Sequence, residues 1–158
     1  MHKILFICHG NICRSVMAEF VFKQLAAQAG LSDCFEIDSA ATSTEEIGNP
    51  IYPQALQCLR HHGIADARHS ARQVTKADYD YFDQLILMEN YNLRNLRRII
   101  PSDPEGKVSL LLSHVAPNRL GGRTLDVADP WYTRDFETAY NDILLGCQAL
   151  LDEYANAR

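Results

Sequence analysis

Four short apolar runs alternate along this chain with longer stretches of helical spacing. Residues 3–7 are apolar almost throughout (Ile4-Leu5-Phe6-Ile7), which suits a strand covered on both faces. From 16 to 29, Ala18, Val21, Phe22, Leu25 and Ala29 fall on one stripe and Gly30 ends it, predicting a helix. Phe35-Glu36-Ile37-Asp38-Ser39 alternates as a second strand. A loop over 42–53 then leads to a helix carrying Ala55, Leu56 and Leu59 that stops near Gly63. Residues 66–81 are polar and weakly periodic, the pattern of a loop with one helical turn. A third buried strand over 84–88, a helix over 91–100 closed by Pro101, and a fourth strand over 107–112 follow. A long loop over 113–132 precedes the clearest helix, in which Phe136, Ala139, Tyr140, Ile143, Cys147, Leu150, Leu151 and Tyr154 repeat at helical spacing.

Strands separated by helices predict an α/β fold: a four-stranded parallel sheet with right-handed crossovers and helices on both faces. No linker or repeat divides the chain, so residues 1–158 are expected to form one domain. In such folds ligands bind beyond the carboxyl ends of the strands. The turn after the first strand lies at such an end.

Composition narrows the partners. A formal net charge of −5 argues against nucleic acid and requires any anion site to be built from local donors. No apolar run reaches the roughly 20 residues of a membrane helix, and the first strand begins too close to Met1 for a cleaved leader. The expectation is a cytoplasmic, monomeric protein. Five cysteines, odd in number and scattered, fit reduced thiols better than a disulfide framework.

The chemistry concentrates in Cys8-His9-Gly10-Asn11-Ile12-Cys13-Arg14-Ser15, between the first strand and the first helix. A loop of this length can curl its N–H groups around one point at a helix N-terminus, where anions are favoured. Gly10 clears room for close backbone approach, and Asn11 tolerates a left-handed conformation. Arg14 offers a planar fork to two phosphate oxygens. The same donors favour a thiolate at Cys8, to which Ser15 can donate its hydroxyl. A thiolate beneath a phosphoryl group is placed for in-line attack, and Asp129 is the candidate to protonate the leaving oxygen. A metal held by Cys8, His9 and Cys13 would destroy this anion geometry, so no metal or cofactor is expected there.

These residues resemble the low-molecular-weight protein tyrosine phosphatases. The family loop Cys-x-Gly-Asn-x-Cys-Arg-Ser is matched from Cys8 to Ser15, and its general-acid loop by Asp129-Pro130-Trp131-Tyr132. Further matches are Asp38-Ser39-Ala40-Ala41-Thr42-Ser43, Ile47-Gly48-Asn49-Pro50, Ala71-Arg72-Gln73 and Asp135-Phe136-Glu137-Thr138. The resemblance implies hydrolysis of phosphotyrosine in proteins through a cysteinyl-phosphate, without metal. Cys8 would be nucleophile, Arg14 phosphate clamp, and Asp129 acid and then base. It also implies that Asn11, Ser15, Ser39 and His69 form a network holding the loop, and that Cys13 pairs reversibly with Cys8 under oxidation. Trp131 and Tyr132 would wall the substrate slot.

Several positions depart from the family pattern. Val16 replaces a proline at the helix start, and Glu89 replaces an aspartate after Met88. Glu45 stands where many relatives carry an aromatic wall; a carboxylate removes stacking area and repels acidic peptides. His9 adds a cationic group at the rim. Ile12 separates this loop from the related arginine phosphatases, which carry threonine there. Arsenate reductases of this fold relay a disulfide through further cysteines after the middle of the chain, and none lies between Cys58 and Cys147. A phosphate-binding module without catalysis would lack nucleophile, clamp or acid, and all three are present.

Overall fold

The computed structural model describes residues 1–157. Strands β1 (His2–Cys8), β2 (Phe35–Ala41), β3 (Gln84–Leu87) and β4 (Val108–Leu110) form one parallel sheet in the order β2-β1-β3-β4. The connecting helices are α1 (Arg14–Gln28), α2 (Pro53–His61), α3 (Lys76–Tyr81), α4 (Asn90–Leu96), α5 (Pro117–Leu120), α6 (Pro130–Thr133) and α7 (Phe136–Asn156). This is the α/β class that the alternation of patterns predicts.

Burial explains the uninterrupted apolar run of β1. The strand pairs with β2 on one side and β3 on the other. Ile4, Phe6 and Cys8 face a core shared with Val21 and Phe22 of α1 and with Ile143 and Cys147 of α7. Leu5 and Ile7 face a second core with Tyr79, Phe82 and Leu96. From Ile4 onward neither face of β1 meets water, so no polar alternation survives there. Cys8, its last residue, therefore lies at the carboxyl edge of the sheet.

Three expected boundaries move. The fourth strand stops at Leu110, and Leu111–His114 turns away as a 3-10 helix. Leu111 and Leu112 are apolar because they pack under α7, where Gly146 leaves room that a Cβ would fill by colliding with Leu111. The helix expected over 91–100 ends at Leu96; turns carry the chain on, and Ile100 still plugs the second core. The loop expected over 113–132 contains α5 and α6, each started by a proline at its first position. Among the described residues no helix is long and apolar enough to cross a membrane.

Candidate active site

The loop from His9 to Cys13 is held by the segment that follows β2. Thr42 N–H donates to the Cys8 carbonyl at 2.9 Å, and Ser43 donates to the His9 carbonyl through both its N–H, at 3.1 Å, and its hydroxyl, at 2.8 Å. The Tyr52 N–H holds the Ile12 carbonyl at 3.0 Å. With its carbonyls tied outward, the loop can turn N–H groups inward. Asn11 completes the curl at φ 63°, and its N–H points to Cys8 Sγ at 3.3 Å. Cys13, where α1 begins, gives no side-chain cap, so the helix N-terminus stays open to an anion.

A buried polar framework supports this curl. Asn11 Nδ2 donates to Ser15 Oγ at 2.8 Å and to Ser39 Oγ at 3.0 Å. Its Oδ1 accepts the Arg72 N–H at 3.2 Å and faces His69 Nε2 at 2.7 Å. An amide oxygen only accepts, so Nε2 carries the hydrogen of His69. Burial lowers the pKa of that ring, although Glu19 and Asp38 pull the other way. Ser39 donates to Glu19 Oε1 at 2.7 Å, and Lys23 meets the other Glu19 oxygen at 2.6 Å. Ser15 Oγ lies 3.0 Å from Cys8 Sγ. Because Asn11 already donates to that oxygen, the Ser15 hydroxyl hydrogen is free to turn toward a thiolate.

This framework makes Asn11→Ala informative. It removes the bonds to Ser15 and Ser39 and leaves alanine in a left-handed conformation. Urea unfolding should show a loss of about 2–4 kcal/mol. Aryl phosphate turnover should fall as the loop loosens. Unchanged stability would mean that the loop stands without this framework.

Arg14 joins the loop to the far half of the chain. It is 2% exposed. Its Nη1 donates to the Val127 carbonyl at 3.1 Å, and its Nη2 to Glu89 Oε1 at 3.1 Å and Asp129 Oδ2 at 3.2 Å. Burial opposes the guanidinium charge, but Cys8, Glu89 and Asp129 together outweigh it and hold the proton more firmly. Asp129 caps α6, accepting the Trp131 N–H through Oδ1 at 3.0 Å while Oδ2 faces Arg14. The Val127 N–H donates to the Met88 carbonyl, which pins the acid-bearing segment to the end of β3.

Above these groups opens a cavity of about 200 Å³ lined by Cys8, the loop, Arg14, Asp129, Trp131 and Tyr132. Glu45 and Glu46 complete its acidic side. His9 Nε2 meets Glu45 Oε2 at 3.1 Å, so the histidine covers one carboxylate of the rim. Trp131 leans edge-on against Tyr52 at 5.0 Å, and Arg134 donates to the Tyr52 hydroxyl at 2.8 Å. Tyr132 is 81% exposed and stands free at the mouth.

The structure thus gathers every loop and acid-loop residue singled out from the sequence, with Ser39 and His69 directly beneath. Glu46, Glu19 and Tyr52 were not foreseen. Glu19 had a usable signal: α1 is apolar on nearly all sides around it, and a carboxylate there must find buried partners. Glu89 was seen as a departure, but its contact with Arg14 was not. The Cys13 thiol is pushed up to about 12, by burial first and then by Cys8 and Asp129. Burial also raises Cys147, which with Cys58 is buried, while Cys34 is half-buried.

The family model for low molecular weight phosphotyrosine protein phosphatases matches residues 3–157. The enzyme of that name from Mus musculus is 42% identical over 154 residues, covering 96% of this chain and 94% of its own. The crystal structure of YfkJ from Bacillus subtilis superposes with a TM-score of 0.92 at 37% identity, covering 100% of this chain and 97% of its own. That of DARP, a drosophila arginine phosphatase, superposes at 0.84 with 30% identity, covering 96% and 97%.

Proposed function

This chain belongs to the low molecular weight phosphotyrosine protein phosphatase family, and from that premise we propose that it hydrolyses phosphotyrosine in proteins through a phosphate ester on Cys8. One observation carries the reading. Arg14 and Asp129, 115 residues apart in sequence, meet at 3.2 Å over a cavity floored by Cys8.

The resting contacts suggest the order of events. Arg14 Nη2 is occupied by Asp129 and Glu89. A phosphate dianion entering the loop competes with Asp129 for that N–H and offers better bidentate geometry. Asp129, displaced from Arg14, is free to turn toward the leaving oxygen, while Glu89 and the Val127 carbonyl keep the guanidinium in place. Cys8 sulfur then bonds to phosphorus as the bond to the tyrosine oxygen breaks. Asp129, which takes up a proton from solvent once it has left Arg14, delivers that proton to the departing oxygen. In the second step Asp129, now a carboxylate, takes a proton from water. The water oxygen bonds to phosphorus, the sulfur–phosphorus bond breaks, and inorganic phosphate leaves.

Substrate class follows from the walls. Trp131 and Tyr132 offer aromatic faces to a phenyl ring, which a phosphoserine does not have. Ile12 gives the loop a hydrocarbon at the position where the related arginine phosphatases carry threonine, so it has no hydroxyl to direct water at a phosphoguanidinium. We place the activity in the cytoplasm, where a catalytic thiol stays reduced, and on a monomer, since one chain supplies the whole cavity. Oxidation by peroxide would convert Cys8 to a sulfenic acid, and the Cys13 sulfur would displace water from it to close a disulfide.

Steady-state kinetics on phosphotyrosine, phosphoserine and phosphoarginine compounds tests this assignment. The kcat/KM for phosphotyrosine should exceed the other two by about 100-fold or more. Activity lost to peroxide should return with dithiothreitol. Preference for phosphoarginine, or thiol-dependent reduction of arsenate, would overturn the reading.

A further inference from the structure

Away from the catalytic cavity, a second group of side chains has metal-ligand chemistry. Cys58 and His62 stand four residues apart at the end of α2 and therefore share a face. Glu137, in the first turn of α7, meets both. Its Oε1 is 3.4 Å from Cys58 Sγ and its Oε2 is 2.8 Å from His62 Nε2. The three donor atoms all lie within 4.8 Å of one another. Ligands on one tetrahedral zinc ion sit about 3.2–3.6 Å apart, from Zn–S and Zn–N distances of about 2.3 and 2.0 Å. Shifts of an ångström or less would bring these donors onto one cation.

We propose that Cys58, His62 and Glu137 form a binding site for a divalent transition cation of the zinc type. A thiolate, an imidazole and a carboxylate are the mixed donor set such ions take, whereas magnesium and calcium call for oxygen alone. The donors are held in advance. Cys58 is 6% exposed, and the His62 ring stacks on Tyr140 at 3.7 Å with 8° between planes. A groove lined by Cys58, Glu137, His61 and Gln57 opens on the site, giving entry to the ion and room for a solvent molecule as fourth ligand. Arg134 borders the same groove, but its guanidinium is turned onto the Tyr52 hydroxyl. On binding, the Cys58 thiol gives its proton to solvent and its sulfur bonds to the ion.

Among the described residues the other cluster of this kind, Glu19, Asp38 and His69, differs in being committed to the loop framework through Ser39 and Asn11. At the proposed site the cation has a mechanical consequence. It ties the end of α2 to the start of α7, three residues after Arg134 and close behind the acid-bearing α6. The site is separate from the reaction, and its occupancy does not depend on the proposed activity.

Cobalt titration of the full Cys8→Ser chain tests this without competition from the catalytic thiol. One equivalent of Co²⁺ should bind with visible d–d bands of a tetrahedral site and a thiolate-to-cobalt charge-transfer band, and Zn²⁺ should displace it. Cys58→Ser should abolish the charge-transfer band. His62→Gln should weaken binding by more than about 100-fold. Circular dichroism establishes that each variant is folded; if Cys58→Ser is not, the half-exposed His62→Gln decides alone. No one-to-one complex, or a complex unchanged by His62→Gln, would overturn the proposal.

Discussion

Replacing Cys8 with serine should reduce turnover of aryl phosphates by about 10³–10⁶-fold, the scale on which loss of a covalent nucleophile is felt. The change exchanges one atom in a site that is 3% exposed, so packing is nearly preserved. What changes is the charge available to attack. The Asn11 N–H at 3.3 Å and the Ser15 hydroxyl at 3.0 Å can stabilise a thiolate, but a serine alkoxide is far too basic to form there. Arg14 and the loop N–H groups remain, so affinity for inorganic phosphate or for a phosphotyrosine peptide should stay within about tenfold of the parent, since uniform binding is untouched. Acid-quenched parent enzyme should carry phosphate on Cys8, detectable by mass spectrometry, and the variant should carry none. Turnover that survives the substitution would sink the cysteinyl-phosphate mechanism.

Asp129→Asn should produce the second-largest loss, and a selective one. For phenyl phosphate and phosphotyrosine, whose leaving oxygens need a proton, kcat should fall by about 10²–10⁴-fold. For phenols acidic enough to depart as anions, the first step should be nearly unaffected, and the deficit should move to hydrolysis of the phosphoenzyme. A burst of phenol followed by a slow phase is the expected record. Asparagine is the right replacement because Asp129 also caps α6 at the Trp131 N–H, a bond an amide oxygen can keep. Arg14 retains Glu89 and the Val127 carbonyl. Equal slowing across good and poor leaving groups would assign Asp129 to loop structure instead of proton transfer.

Much of the fold was legible from spacing. The apolar run at 4–7 suits a strand with two covered faces, and β1 lies between β2 and β3. The alternation of strand and helix implied parallel pairing. Boundaries were harder. Leu111 and Leu112 look like a continuing strand because hydrophobicity reports burial, not backbone shape; they are buried in a 3-10 turn under α7. The Thr75–Asp78 capping box that starts α3 is present in the sequence, but its polar helix has too little periodicity to stand out.

The candidate site divides along the same line. Sequence by itself determined the local machinery: a loop of fixed length between strand and helix, with Gly10, Asn11, Cys8 and Arg14 at spacings that only one short turn can bring together. Those relations are set by chain connectivity, so they can be read without coordinates. Tertiary structure alone decided the contacts over long separations. It placed Asp129 and Glu89 on one nitrogen of Arg14, put Glu19 under Ser39, set Glu46 in the cavity wall and brought Glu137 to Cys58 and His62. Such contacts depend on how helices seat on the two faces of the sheet. That seating is settled by the packing of the whole core, which no local pattern encodes.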